Sequence, residues 1–87
     1  MVSVPVSATK QKDIKYFIWV IYDNVVVDQN DTVTCTEFTD DVALSESLLI
    51  NNATGAVITT TESLNVVTVT GAATDADCTL FVFGRRA

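Results

Sequence analysis

Apolar and polar positions in this chain follow the two-residue period of β-strands, and helical periodicity is scarce. In residues 32–38, for example, Val33 and Cys35 fall on one side and threonines on the other. Threonine and valine are abundant, and β-branched side chains suit strands. Turn-forming residues separate such runs about every ten residues. The pattern predicts an all-β protein, a single-domain antiparallel β-sandwich or barrel of roughly seven to eight short strands.

The most apolar segment is residues 14–22, which contains no polar residue from Tyr16 onward. A continuous apolar run bounded by turn residues predicts a strand that is covered on both faces. We expect one face to lie in the core and the other to contact a second subunit or a larger assembly. The two faces comprise Tyr16, Ile18, Val20 and Tyr22 on one side, and Phe17, Trp19 and Ile21 on the other. Asp23 and Asn24 predict a turn, which residues 25–28 follow as a short strand.

Residues 39–50 fit two structures. Asp40 and Asp41 suit the N-terminus of a short helix, where carboxylates interact favourably with the helix dipole. As a strand, the segment places five side chains on one face: Val42, Leu44, Glu46, Leu48 and Ile50. The sequence favours a strand for residues 48–50 and leaves 40–47 open.

The remainder of the chain alternates between turns and strands. Predicted strands cover residues 56–60, 65–70 and 78–83, and predicted turns or loops cover 51–55, 62–65 and 71–77.

Residues 1–12 predict an extended N-terminal arm, and residues 13–87 form the β-domain. Val2, Val4 and Val6 alternate with polar residues or proline, and Pro5 restricts any strand pairing to a sheet edge. Residues 7–12 are polar and predict a loop or tether.

Size and composition favour a protein that is stabilised by association with other subunits or with a larger partner. The chain has 87 residues, of which 48% are hydrophobic. So small a domain buries limited apolar area, and proteins of this size gain stability from disulfides, metals or oligomerisation. The longest apolar run, residues 16–22, is too short for a membrane helix, which takes about 20 residues. The N-terminus lacks the features of a signal peptide, so we expect assembly inside a cell.

The charges are unevenly distributed along the chain. The net charge is −6, and every acidic residue except Asp13 lies between residues 16 and 84. The basic residues all lie near the two ends: Lys10, Lys12, Lys15, Arg85 and Arg86. An acidic body disfavours nucleic acid, whose binding requires neutralised phosphates. The basic ends either pair with an acidic partner surface or are ordinary solvated charges.

No set of residues suggests catalysis or a cofactor. The chain contains no histidine and only three glycines, so general acid–base groups near neutral pH and phosphate-binding loops are missing. The acidic segments 28–31 and 75–77 do not match the twelve-residue calcium loop. We therefore predict no enzyme activity, no metal site and no cofactor.

Cys35 and Cys78 are the only cysteines. A bridge between them would close a long loop and stabilise the fold, but nothing in the sequence indicates an oxidising compartment. We favour two reduced cysteines in the core. Without a histidine, neither is expected to act as a nucleophile.

Three Thr- and Val-rich segments in the C-terminal part, residues 51–58, 65–71 and 78–84, resemble the closing strands of small virion proteins of tailed bacteriophages. These include head-decoration or cement proteins and related head or tail appendages. The resemblance implies a capsid-bound oligomer, often a trimer, that clamps neighbouring capsid subunits and has no catalytic residues.

The expected function is therefore a non-enzymatic capsid decoration protein, which assembles in the host cytoplasm and resides in the virion. Its partners would be the major capsid protein or another virion protein and further copies of itself, with no nucleic acid and no membrane. The predicted contact residues are Val2, Val4, Lys10, Lys12, Lys15, Trp19, Arg85 and Arg86. The alternative is an adhesive or carbohydrate-binding β-sandwich of a fibre or tail appendage, in which exposed aromatic rings stack on sugars.

Overall fold

The computed structural model describes residues 2–6, 8–14, 17–38 and 42–86. The predictions for Lys15 and Tyr16, and the alternative helix start at Asp40 and Asp41, lie outside these residues. The described residues form nine strands and no helix. The strands are β1 (Ser3–Val4), β2 (Lys10–Ile14), β3 (Phe17–Val27), β4 (Thr32–Thr34), β5 (Val42–Asn51), β6 (Val57–Ile58), β7 (Thr60–Ser63), β8 (Val66–Val69) and β9 (Ala76–Arg86). The all-β prediction is confirmed. No helix in the described part of the chain could cross a membrane.

The strands form two sheets that pack as a β-sandwich. The four-stranded sheet has the order β1-β4-β8-β7, and the five-stranded sheet has the order β2-β3-β9-β5-β6. Only the pairing of β1 with β4 is parallel among the pairs that the described residues form. β3 and β9, the two longest strands, lie side by side in the five-stranded sheet.

The core lies between the two sheets. Its fully buried side chains come from alternate positions of the facing strands, as a two-residue period requires. They include Ile18, Val20 and Tyr22 of β3, Leu80 and Val82 of β9, Val33 of β4, and Val67 and Val69 of β8. Of the two faces that the alternation defines in the first apolar strand, the one with Ile18, Val20 and Tyr22 lies in the core.

The turn predicted at Asp23 and Asn24 is wrong, because β3 continues through both residues. The register with β9 shifts between Tyr22 and Val25, which is a β-bulge. Asn24 adopts a φ of 57° there, a left-handed conformation that asparagine tolerates better than most residues. The bulge keeps Val25 and Val27 buried, so two predicted strands are one bent strand.

The face predicted for β5 is also wrong. Leu44 packs against the core, whereas Glu46, on the same side in the prediction, is exposed. The register with β9 shifts between Leu44 and Glu46, and this irregularity reverses the alternation. Leu49 is consequently the buried leucine, and Leu48 points outward. The open segment is a strand from residue 42 onward.

Two further predictions need correction. β4 ends at Thr34 rather than at residue 38, because the Phe38 N–H turns back to the Cys35 carbonyl at 3.0 Å. The strand predicted for 56–60 is divided between β6 and β7, which belong to different sheets. Thr59, between them, accepts hydrogen bonds at its carbonyl from the N–H groups of Thr70, at 2.9 Å, and Gly71, at 3.0 Å.

The N-terminal segment supplies an edge strand to each sheet. β1 lies at the edge of the four-stranded sheet, in keeping with the restriction that Pro5 imposes. β2 lies at the edge of the five-stranded sheet, so the loop predicted for residues 7–12 is wrong for residues 10–12. A buried carboxylate, that of Asp31, accepts the N–H of Val2 and helps to hold β1 in place.

Candidate binding surface

The outer faces of the two sheets differ sharply in chemistry. Cross-strand pairing on the four-stranded sheet places Ser3, Thr32, Thr68 and Thr61 in one row. Directly opposed residues point to the same side of a sheet, so this row forms a hydroxyl surface. The outer face of the five-stranded sheet is instead aromatic and aliphatic. The sandwich therefore has one hydrophilic side and one apolar side.

The apolar side is built from cross-strand rows. One row runs across four strands as Lys12, Trp19, Phe83 and Glu46, and the next as Lys10, Ile21, Phe81 and Leu48. A third row pairs Phe17 with Arg85. We call this surface the aromatic face. Its apolar members are Phe17, Trp19, Ile21, Leu48, Phe81 and Phe83, and its charged rim consists of Lys10, Lys12, Glu46 and Arg85.

Several large side chains of the aromatic face are open to solvent. Phe17 is 57% exposed, Phe83 47% and Leu48 38%. Trp19, Ile21 and Phe81 are partly exposed. One face of β3 lies in the core, and coverage of its other face by a partner stays a prediction. Contiguous exposed apolar surface on a soluble domain marks a site of interaction with another molecule.

The charges of the rim are segregated across the sheet. Lys10 and Lys12 lie on β2 at one edge, whereas Glu46 lies on β5, with β3 and β9 between them. Arg85 lies next to Phe17 at the end of the patch. No ion pair or hydrogen bond within the described residues engages these four side chains. Each rim charge is therefore available to a partner.

Four of the eight predicted contact residues come together on this face: Lys10, Lys12, Trp19 and Arg85. Val2 and Val4 do not join them, because β1 lies at the edge of the other sheet and Val4 packs against the core. Lys15 lies outside the described residues. Arg86 belongs to β9, and its side chain lies outside the described part of the chain.

The sequence analysis missed Phe81, Phe83 and Leu48. Their alternation with buried Leu80, Val82 and Leu49 was visible as a pattern, but the pattern does not say which strand is adjacent. Only the pairing of β9 with β3 turns separate outward side chains into one surface.

A second cluster, inside the sandwich, joins Tyr22, Glu37 and Cys35. The Tyr22 hydroxyl donates a hydrogen bond to the Glu37 carboxylate. Burial, together with this carboxylate, raises the pKa of Tyr22 far above its ordinary value. Burial also raises the pKa of the Cys35 thiol to about 11, which the Tyr22 hydroxyl offsets only in part. A protonated, buried thiol is a poor nucleophile, so the cluster is structural in character.

Cys78 has a raised pKa for the same principal reason, burial. Both cysteines are buried and unpaired in the structure, so the expected core thiols are observed.

The acidic turn at residues 28–31 uses its carboxylates in hydrogen bonds to the main chain, including that of the acidic turn at 75–77. Among the described residues, no group of three potential ligands could hold an ion. The carboxylates instead organise the main chain: Asp28 Oδ1 accepts the Asp75 N–H at 2.8 Å, and Asp31 Oδ2 accepts the Asp28 N–H at 2.8 Å. These bonds connect the loop before β4 with the loop before β9.

Comparison with protein-family models, with curated proteins and with solved structures found no match to this chain.

Proposed function

We propose that this chain is a non-enzymatic structural protein of a virus particle, a capsid decoration protein that binds the capsid exterior as an oligomer. The observation that carries the proposal is the aromatic face. An apolar sheet surface with a charged rim suits contact with another protein. Such a contact would bury the apolar surface and so stabilise a domain of only 87 residues.

Other features agree with a binding role rather than a catalytic one. Two of the buried titratable groups, Tyr22 and Cys35, have pKa values that keep them protonated near neutral pH. The polar turns use their carboxylates to bind main-chain N–H groups. The resemblance of the C-terminal segments to phage decoration proteins supports a bacteriophage as the virus in question. The partner would be the major capsid protein or another virion protein.

The proposal is tested on virus particles purified from a lysate of the strain that encodes the chain. We expect the protein to band with intact particles in a density gradient, at a fixed number of copies, and to be reached there by immunogold labelling. Recombinant protein added to particles that have been stripped of it should rebind. A protein that stays at the top of the gradient, or that antibodies reach only in broken particles, would contradict exterior decoration.

A second candidate function, an adhesive or carbohydrate-binding module, is favoured by the shared orientation of Phe17, Trp19 and Phe83. Aromatic rings on one surface can stack on sugar rings. Titration with oligosaccharides while Trp19 fluorescence is recorded distinguishes the two functions. A saturable spectral shift that Phe83→Ala abolishes would favour the sugar platform, and an unchanged spectrum would favour a protein partner.

A further inference from the structure

We infer that the aromatic face binds the same face of a second copy, forming a two-fold dimer whose axis runs parallel to the strands between β3 and β9. This inference rests on the oligomeric part of the proposed function and names the occupant of the surface. A two-fold contact presents one patch twice, so the patch must be complementary to itself. The order of side chains along the rows satisfies that requirement.

The row through Trp19 changes sign from one end to the other. It begins with the cation of Lys12, crosses the rings of Trp19 and Phe83, and ends with the anion of Glu46. A half-turn about an axis parallel to the strands exchanges the left and right ends of a row and keeps its level along the strands. Lys12 then lies opposite the partner's Glu46, and Glu46 lies opposite the partner's Lys12. Two of the four rim charges, Lys12 and Glu46, thus obtain a partner of opposite sign, whereas Lys10 lies opposite the partner's Leu48.

The alternative two-fold axis, perpendicular to the strands in the interface plane, is disfavoured by the same charges. It would place β2 over the partner's β2. Lys10 and Lys12 would then face the partner's lysines, and Glu46 would lie far from any of them. Like charges opposed across an interface weaken association. The distribution of charge therefore selects the axis parallel to the strands.

The centre of the contact is also complementary under this axis. Trp19 faces the partner's Phe83, and Ile21 faces the partner's Phe81, so aromatic and aliphatic groups meet next to the axis. Aromatic side chains in contact attract each other by more than the apolar area that they bury would give. In the third row, Phe17 faces the partner's Arg85, an arrangement that suits a cation–π contact.

The size of the face indicates a weak dimer. Four strands about 4.8 Å apart and rows from Phe17 to Asp23 give a flat footprint of about 400 Å² per copy. Two copies bury about 800 Å² as flat area and more with side-chain relief, which lies below the range of stable specific interfaces, about 1,200 Å² and above, and suits a weak dimer. We therefore expect dissociation upon dilution. Two sheets packed in this way lie about 10 Å apart.

The decisive experiment is sedimentation equilibrium of the full chain over about three decades of concentration around the micromolar range. The wild-type chain is expected to change from dimer to monomer on dilution. Lys12→Glu and Glu46→Lys should each weaken the dimer by at least about tenfold, because each creates two repulsive pairs. The double variant K12E/E46K should restore association to near the wild-type strength, since the exchanged charges again oppose each other.

Two matched variants on the hydroxyl surface serve as controls. Thr61→Glu and Thr61→Lys introduce the same charges on the opposite side of the sandwich and should leave association unchanged. Circular dichroism and thermal unfolding verify that every variant is folded. A wild-type chain that is monomeric throughout, a stable trimer, or a double variant as weak as the single ones would overturn the inference.

Failure of the dimer and failure of the proposed function are separable. A chain that is monomeric in solution but bands with intact particles overturns the dimer and retains the decoration function. A dimer that responds to the charge variants as expected but never bands with particles retains the dimer and overturns the decoration function.

Discussion

Asp31 holds Val2 in place through a carboxylate that is buried between the first and fourth strands. Asp31 is 6% exposed, and its Oδ1 accepts the Val2 N–H at 3.2 Å. The bond is reinforced by the Thr32 N–H, which donates to the Val2 carbonyl at 2.8 Å. Because Oδ2 binds the Asp28 N–H, one side chain connects the N-terminal edge strand to the turn before β4.

Asp31→Ala should therefore be destabilising, because it leaves the N–H groups of Val2 and Asp28 without their acceptor. The expected loss is about 1–3 kcal/mol of the free energy of unfolding. Asp31→Asn, which retains one acceptor oxygen, should lose less. Urea unfolding measures both, with the exposed Asp77→Asn as control. An Asp31→Ala variant as stable as this control would contradict the role assigned to the carboxylate.

Gly71→Ala should destabilise the fold. A Cβ at residue 71 would lie 2.8 Å from Thr59 Oγ1 and 2.9 Å from the Thr59 main-chain nitrogen. The chain changes sheets at Thr59, so the backbone there has little room to shift. We expect a loss of about 1–3 kcal/mol, as for other overpacked sites.

Adding Thr59→Ala to Gly71→Ala should recover only part of the stability lost, because the contact with the main-chain nitrogen remains. Ala72→Ser, at the exposed neighbouring position, is the control and should unfold at the wild-type denaturant concentration. Equal unfolding midpoints for Gly71→Ala and Ala72→Ser would show that the close approach does not exist in solution.

Leu64→Gly should stabilise the protein. Leu64 lies in the turn between β7 and β8 with a φ of 55°, a left-handed conformation that disfavours every residue with a Cβ except asparagine and aspartate. Its side chain is 88% exposed, so removal sacrifices no core packing. Relief of this strain, less the extra entropy of glycine in the unfolded chain, should add about 0.5–1 kcal/mol.

Leu64→Ala is the matched control for this turn, because it removes the same side chain but keeps the Cβ. Thermal unfolding should show a higher melting temperature for the glycine variant alone. A similar rise in both variants would mean that exposure of the leucine, and not its backbone conformation, is the unfavourable feature.

Stability should decline at alkaline pH because of Cys35 and Tyr22. In the unfolded chain the thiol and the phenol ionise near their ordinary pKa values, 9.0 and 10.0. The fold raises both pKa values, so the folded state keeps protons that the unfolded state releases. Stability is then fully present below about pH 9 and falls as the pH rises above that value.

Tyr22→Phe removes one of these protons, so its free energy of unfolding should decrease less steeply between pH 9 and pH 11 than that of the wild type. Urea unfolding at a series of pH values gives both slopes. Tyr22→Phe also lacks the hydrogen bond to Glu37 and should be less stable at pH 7. Identical slopes above pH 9 would rule out a contribution from the phenol.

The sequence predicts the strands of this protein better than their orientation. Alternation identifies the inner face of β3, since Ile18, Val20 and Tyr22 obey the two-residue period. It fails after Tyr22 and between Leu44 and Glu46, where a bulge against β9 reverses the alternation. A bulge is a property of two paired strands, so the pattern within either strand alone does not contain it.

The binding surface was predictable in part for a related reason. Lys10, Lys12, Trp19 and Arg85 stand out in the sequence as the scarce cations and the single tryptophan. The residue types of Phe83 and Leu48 do not distinguish them from core residues, because only the direction of their side chains differs. Val2 was expected to contact a neighbour as part of the N-terminal arm, but β1, which follows it, and β2 join different sheets.

The outermost strands of this sandwich are poor templates for further strand addition. β1 and β6 each contain only two residues, and Pro5 follows β1. The other two edge strands are β2, which carries Lys10 and Lys12, and β7, which has four residues and carries Glu62. Short, charged or proline-flanked edges are the means by which natural sheets resist edge-to-edge polymerisation. Copies of this chain are thus expected to associate through side chains rather than through main-chain hydrogen bonds between edge strands. Such contacts give oligomers with a defined number of subunits instead of fibrils.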